Sequence, residues 1–253
     1  MPPQPEAPSP ESPLRLAVWS GPRNISTALM RSFGNRADTW VCDEPFYAYY
    51  LLRTRLDHPG RDEVIAAHET DWEKVVDFLT GPVPGGKPVF YQKHMAHHYL
   101  PELGEAWFPL LTHAFLIRDP REMLLSLSKK LEAPRLEDTG LAVQVKIFEQ
   151  ARSETGRVPP VVDSRDLLLD PSGVLRLFCE TVGLVFDQTM LSWPPQRRPT
   201  DGIWAKYWYD AVEASTGWEP YRPAHGELPP HLEEVQALCR PFYEQLHAHR
   251  LHL

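Results

Sequence analysis

The sequence predicts an α/β fold in three layers, a central, mostly parallel sheet of about five strands with helices on both faces. Three observations carry that expectation. Short apolar runs alternate with stretches of helical periodicity along most of the chain. Each run ends in polar or turn residues, as strands of a wound sheet do. The first run opens through a tight loop into a helix, in the manner of a P-loop-like strand–loop–helix unit.

The elements follow in order. Leu14 to Trp19 is a compact apolar run closed by Ser20-Gly21-Pro22, and from Ser26 the apolar Ala28, Leu29 and Phe33 recur at helical spacing. Thr39 to Cys42 reads as a second strand; Asp43-Glu44-Pro45 follows, where proline is expected to stop regular structure. Asp71 suits the N-cap of a helix through about Leu79. Pro88 to Gln92 and Ala114 to Ile117 read as the third and fourth strands. Helices are expected from Pro120 to about Leu131 and from Leu141 to about Ser153, with Pro160 to Val162 a short fifth strand before Asp163. Pro171 sits well in the first turn of a helix ending near Gly183. The Pro- and Arg-rich stretch from Ser192 to Thr200 is expected to cross the surface before two last helices, about 203–214 and 230–249, whose placement as a lid the sequence leaves open. In such a fold ligands bind at the carboxyl ends of the strands.

A chain of 253 residues needs no second core, so one domain is expected over 14–253, behind a proline-rich, acidic and disordered tail over 1–13. The formal charge of -8 leaves no overall basic footprint for nucleic acid or an anionic membrane, and neither is an expected partner. Any anion site must therefore be a local basic cluster. The start has no basic segment ahead of an apolar one, and no apolar run approaches the ~20 residues that span a bilayer. Cys42, Cys179 and Cys239 are far apart and odd in number, which fits reduced thiols in a cytoplasmic protein; none has metal-ligand spacing. The oligomeric state is left open.

The loop Ser20 to Thr27 lies where backbone N–H groups and a helix N-terminus favour an anion. It is not a Walker A loop, because Ile25 stands where that pattern needs a lysine before the hydroxyl pair Ser26-Thr27. Arg23 supplies the positive charge from within the loop instead. The bland reading is a turn with a capping serine and a surface arginine. A second candidate follows the fourth strand, where Arg118 ends the strand and Ser126 lies one and a half to two turns into the next helix, so that both can share one phosphate. Here the bland reading is an Arg118 pair with Asp119 or Glu122, of the exposed kind that adds only ~0–1 kcal/mol.

Together these segments resemble the sulfotransferase family, whose donor is 3′-phosphoadenosine 5′-phosphosulfate (PAPS). Three blocks carry the likeness: Gly21-Pro22-Arg23-Asn24-Ile25-Ser26-Thr27; Ile117-Arg118-Asp119-Pro120-Arg121-Glu122 through Ser126; and Asp166-Leu167-Leu168-Leu169-Asp170-Pro171 through Gly183-Leu184-Val185-Phe186-Asp187. They reach from residue 14 to about 190. The resemblance implies that the first block holds the 5′-phosphosulfate through Arg23, Ser26 and Thr27, and that Arg118 and Ser126 hold the 3′-phosphate. The third block is structural. Two departures stand out: the loop lacks the family's internal glycine, and the Arg-Lys-Gly donor segment of the cytosolic branch has no match. Ile203 to Tyr209 stands there instead, with Lys206 or the aromatics as candidates to close over the nucleotide.

Sulfuryl transfer needs cations and N–H donors on developing charge and a base for the acceptor's proton. No metal is required, and none is expected. Glu44 is the favoured base, because it follows the second strand directly. Its rival is the cluster Lys93-His94-Met95-Ala96-His97-His98, in which His94 is read as lying closest to the strand end. Lys93 is a candidate for neutralising sulfuryl charge. Phe46, Tyr47, Tyr49 and Tyr50, with Trp204, Tyr207, Trp208 and Tyr209, are expected mostly in the core, with any left over lining an acceptor pocket or stacking on adenine. The expected reaction is transfer from PAPS to a hydroxyl, less readily an amine, of a small-molecule acceptor. The alternatives are a P-loop-like kinase or phosphohydrolase, weakened by the absent Walker lysine, and a non-catalytic nucleotide-binding protein of the same fold.

Overall fold

The computed structural model describes residues 8–253. In chain order the elements are β1 (Leu14–Ser20), α1 (Ser26–Gly34), β2 (Thr39–Asp43), α2 (Tyr47–Thr54), α3 (Arg61–Ala67), α4 (Trp72–Thr80), β3 (Val89–Met95), β4 (Thr112–Ile117), α5 (Pro120–Leu127), α6 (Leu136–Thr139), α7 (Leu141–Thr155), β5 (Val161–Asp163), α8 (Ser164–Leu169), α9 (Pro171–Thr181), α10 (Ala205–Trp208), α11 (Asp210–Glu213) and α12 (Pro230–His247). The strands form one sheet in the order β2-β3-β1-β4-β5, every pairing parallel. This is the α/β architecture read from the sequence.

The sheet is buried on both faces because side chains alternate along each strand. Leu16 and Val18 of β1, with Val89 and Tyr91 of β3, pack against Leu29, Met30 and Phe33 of α1 and Val174, Leu175 and Phe178 of α9. Ala17, Trp19 and Phe90 face the other way, onto α4, α5, α7 and α12 through residues such as Leu79, Leu124, Phe148 and Leu246. The chain leaves β1 toward β2 and β3 on one side and returns to β4 and β5 on the other. The strand order thus reverses at β1, which makes the crevice beyond its carboxyl end the place for a ligand.

Local chemistry fixes the helix starts. Asp119 caps α5, its Oδ1 accepting from Arg121 N at 2.9 Å, with Pro120 in the first turn. Asp170 caps α9 ahead of Pro171 in the same way, accepting from Gly173 N at 2.9 Å, so the Asp-Pro block read as structural acts as a helix start.

Several boundaries differ from the sequence reading. β3 runs on to Met95, because Gln92, Lys93 and His94 find buried partners and stay in the ladder. α2, α3 and α8 were not expected. Pro45 does interrupt the chain, but an amphipathic turn restarts at Tyr47. The helix from Pro120 ends at Leu127, short of Leu131. The stretch 203–214 forms two single turns, α10 and α11, rather than one helix. Of the tail expected to be disordered, residues 1–7 lie outside the described residues, and Ser9 and Ser12 exchange backbone hydrogen bonds at 3.2 and 3.1 Å. Among the described residues no helix is long and apolar enough to cross a membrane, and the three cysteines are free thiols.

Candidate functional site

The carboxyl edge of the sheet opens into a cavity of about 420 Å³. Its floor at one end is the loop after β1. Arg23 and Ile25 both adopt left-handed backbone, φ 62° and 57°, flanking Asn24. Left-handed geometry is costly for a β-branched side chain, about 1–3 kcal/mol, so the surroundings must impose it. They do so through four bonds. Asn24 Nδ2 donates to Leu116 O at 3.2 Å, Ser164 Oγ donates to Asn24 O at 3.1 Å, Arg118 Nη1 donates to Arg23 O at 2.9 Å, and Leu29 N closes on Ile25 O at 3.1 Å. The loop therefore turns without the family's internal glycine, at a cost in strain. Gly21 answers a different need: a Cβ there would lie 2.4 Å from Thr139 O, so the residue permits close backbone approach.

Pro22, Arg23, Asn24, Ile25, Ser26 and Thr27 all border the cavity, as do Arg118 and Ser126. Arg23 Nε donates to Ser126 Oγ at 2.9 Å, and Arg118 lies 3.2 Å from Glu122 Oε2. Glu122 in turn accepts from Tyr221 OH at 2.5 Å. Burial and the nearby Arg118 push the Arg23 guanidinium below its ordinary pKa, a sign that two cations share a space with too little counter-charge. An anion is the natural complement. The two arginines, 95 positions apart, thus meet at one cavity, which Ser126, bonded to Arg23, also lines.

A buried charge network borders the cavity. Lys93 Nζ donates to Asp43 Oδ1 at 2.9 Å, to Glu44 Oε1 at 2.5 Å and to Tyr209 OH at 2.8 Å. An ammonium has three N–H donors, so all are engaged and none is left for a sulfuryl oxygen. This alters the role expected of Lys93: it is the counter-ion that keeps two carboxylates buried. Burial opposes its charge, but Asp43 and Glu44 overcome that and hold its pKa well above the ordinary lysine value. Glu44 sits at left-handed φ 43°, its N–H bonded to Lys93 O at 2.9 Å, which swings its carboxylate into the cavity. Its Oε1 is held, and among the described residues Oε2 has no hydrogen-bond partner; His98 Nδ1 lies 3.9 Å from it. Burial, with Asp43 beside it, raises the Glu44 pKa above the usual carboxylate range, and Lys93 limits the rise.

The far end of the cavity is aromatic. Tyr47, Tyr50, His58, His97 and His98 line it. His98 stacks on Tyr47 at 4.7 Å and 7°, and Tyr47 OH lies 3.0 Å from His58 Nδ1. Burial drives the His98 pKa well below the ordinary imidazole value and that of His97 down to about 3, so these rings are neutral near pH 7.

Two expected site residues lie elsewhere. His94 was read as the histidine nearest a strand end, but it lies inside β3, and alternation turns it to the opposite face from Lys93. There it stacks on Trp19 at 4.3 Å and approaches Gln92 Oε1 at 3.2 Å, only 1% exposed and away from the cavity. Lys206 is also corrected. It is exposed, paired with Glu63 of α3, and does not border the cavity. Of the aromatics, Tyr47, Tyr50, Trp208 and Tyr209 reach the cavity, whereas Phe46 and Tyr49 fill the core on the His94 side. Asp43 carried no role in the sequence reading, its only signal being its place at the end of an apolar run, and His98 entered only as a member of the histidine cluster.

The parallel sheet, the reversal at β1 and the strained basic loop define an α/β protein with an arginine-lined crevice at its switch point. Comparison with known proteins makes the class specific. The chain belongs to the sulfotransferase family: the family model described as "Sulfotransferase domain" matches residues 14–250. Two Arabidopsis thaliana proteins, "Branched-chain-amino-acid aminotransferase-like protein 2" and "protein 1", are 34% and 36% identical over 94% and 92% of this chain. The chain spans only 42% of the length of each. Among solved structures, the sulfotransferase domain of the Synechococcus PCC 7002 olefin synthase aligns over 94% of this chain and 97% of its own, with TM-score 0.52 and 16% identity. A sulfotransferase from Alicyclobacillus acidocaldarius aligns over the same shares, with TM-score 0.51 and 14% identity. At such identities these two likenesses establish the fold.

Proposed function

We propose that the chain transfers a sulfuryl group from PAPS to a hydroxyl of a small-molecule acceptor, with Glu44 as general base. One observation carries the reading: Arg23 and Arg118 border the same cavity as the free carboxylate oxygen of Glu44. The loop end, with Arg23, Ser26 and Thr27, takes the 5′-phosphosulfate, and Arg118 with Ser126 takes the 3′-phosphate, releasing the Arg23–Ser126 bond seen at 2.9 Å. Two phosphoryl groups supply the counter-charge that this pair of guanidinium groups lacks. The aromatic part of the wall holds the acceptor.

In the transfer the acceptor oxygen forms a bond to sulfur as the bond from sulfur to the 5′-phosphate oxygen breaks. The acceptor's proton passes to Glu44 Oε2, and the loop N–H groups and Arg23 stabilise the charge arriving on the 5′-phosphate. A carboxylate with a raised pKa is the better base near neutrality. The aminotransferase-like names of the plant relatives are not carried over, since this chain matches less than half of each. Free thiols at all three cysteines fit a cytoplasmic setting.

Calorimetry with PAP (the desulfated donor), ADP and ATP tests the donor. PAP is expected to bind with ADP and ATP well behind; equal binding of ATP points to a kinase instead. Glu44→Gln should keep PAP affinity and lower transfer by about 10²–10⁴-fold. It should also remove the acid limb of the pH–rate profile, whose midpoint in the parent lies above the ordinary glutamate value. Full transfer by Glu44→Gln ends the assignment of the base.

A further inference from the structure

We infer that Tyr209 is a positioning residue of this site: its hydroxyl locks Lys93 against Asp43 so that Glu44 presents one bound and one free carboxylate oxygen to the cavity. What Glu44 does with the free oxygen rests on the sulfuryl-transfer reading; the lock itself does not.

The Tyr209 hydroxyl sits at the centre of the network. It accepts from Lys93 Nζ at 2.8 Å and from Trp204 Nε1 at 3.3 Å. Both Asp43 oxygens lie at 2.8 Å and Glu44 Oε1 at 3.3 Å. A phenol has one proton and two lone pairs. The two N–H donors fill the lone pairs, and the one proton is shared between Asp43 and Glu44 Oε1. Nothing remains for a ligand, so Tyr209 orients other groups and takes no part in the chemistry.

The hydroxyl arrives on a segment tied down near its start. Asp201 forms a buried two-point pair with Arg31 of α1, with Nη2 to Oδ2 at 2.6 Å, and Gly202 N donates to Asp43 Oδ2 at 3.2 Å. Downstream, Val212 and Trp218 line the same cavity as the loop. One stretch of chain therefore borders the cavity and fixes the base. The C-terminal segment reaches the Glu44 network through this hydroxyl, which belongs to one of the aromatics the sequence offered beside Lys206.

Five groups face Glu44: Asp43 at the end of β2 beside it, Lys93 from β3, His98 beyond β3, Tyr47 from α2, and Tyr209. Of these only Lys93 and Tyr209 are hydrogen-bonded to its carboxylate, and both bonds favour the charged form. Deleting the Tyr209 hydroxyl removes one of them and loosens the other, so Glu44 should take up its proton at higher pH.

The test is Tyr209→Phe, which keeps the ring beside Lys93. The Glu44 carboxyl is titrated by ¹³C NMR in parent and variant, assigned with Glu44→Gln, and PAPS cleavage with water as acceptor is followed as PAP release across pH. The variant's Glu44 midpoint should move up and the acid limb of PAP release should move with it, while PAP affinity by calorimetry stays at the parent value. Superimposable titration curves overturn the inference, as does a lowered rate with an unmoved acid limb, which is what mere loss of packing gives. If PAP binds to neither protein the sulfuryl reading fails, and the ¹³C curves still decide the case of Tyr209. Should the variant not fold, the parent decides: a Tyr209 hydroxyl proton in slow exchange with water is expected, and one too fast to observe refutes the lock.

Discussion

Lys93 and His94 are adjacent on β3, each titratable and each 1% exposed, yet they face opposite sides of the sheet and meet opposite electrostatics. Lys93 lies among Asp43, Glu44 and Tyr209 and stays charged. His94 lies among Trp19, Phe46 and Gln92, where burial drives its pKa down to about 3 and leaves it neutral. Burial alone does not make a functional group of a titratable side chain. It silences His94, whereas on the other face the same burial, with one lysine set against two carboxylates and an open cavity, leaves Glu44 a raised pKa and a free oxygen.

The sharpest way to break this contrast is Lys93→Met, which removes the counter-ion and leaves Asp43 and Glu44 together in the core. Losing one partner of a buried ion pair costs about 3–5 kcal/mol, to be read from denaturant unfolding. The pH dependence carries the diagnosis. Without Lys93 the folded-state pKa of Glu44 rises further above its unfolded value, so the folded state holds more protons than the unfolded one and stability falls as pH rises. The penalty should therefore be small below the unfolded carboxylate pKa and grow as pH passes upward toward the folded value. A penalty independent of pH would mean that Lys93 matters for packing and not for charge.

This contrast also marks what could be read from the sequence. The strand–loop–helix at residues 14–34 and the placing of Arg118 and Ser126 at one cavity were legible because their signals are local: apolar period, turn residues and a fixed offset along one helix. The end of β3 was not. Polar Gln92-Lys93-His94 reads as the close of a strand, and only the partners brought by β2, β1 and residue 209 allow it to continue. Tyr209 stands 166 positions from Asp43, and no periodicity links two such residues. The histidine cluster misled for a simpler reason. The strand runs three residues past Gln92, so His94 stays inside it, where alternation turns it from the cavity, and His98 beyond the strand reaches the cavity instead.

His94→Leu tests the quiet face. It deletes the stack on Trp19 and leaves Gln92 Oε1 without its ring partner, for an expected loss of about 1–3 kcal/mol. PAP affinity, transfer rate and the acid limb should all stay at parent values. A variant that folds but loses transfer, with its pH profile altered, would return His94 to the list of bases and undo the contrast.

The smallest effect is expected from Lys206→Ala, which carries the comparison from the buried network to the surface. Lys206 has a cation's charge and a paired carboxylate, Glu63, just as Lys93 has, but it is exposed to water. Solvent already screens such a pair and satisfies either partner alone, so neither the melting temperature nor PAP affinity should move measurably. The same deletion of a lysine ammonium is thus expected to cripple the protein at residue 93 and to pass unnoticed at residue 206. A clear loss of PAP affinity in Lys206→Ala would instead show that the segment 201–219 rearranges on donor binding and brings this lysine over the nucleotide.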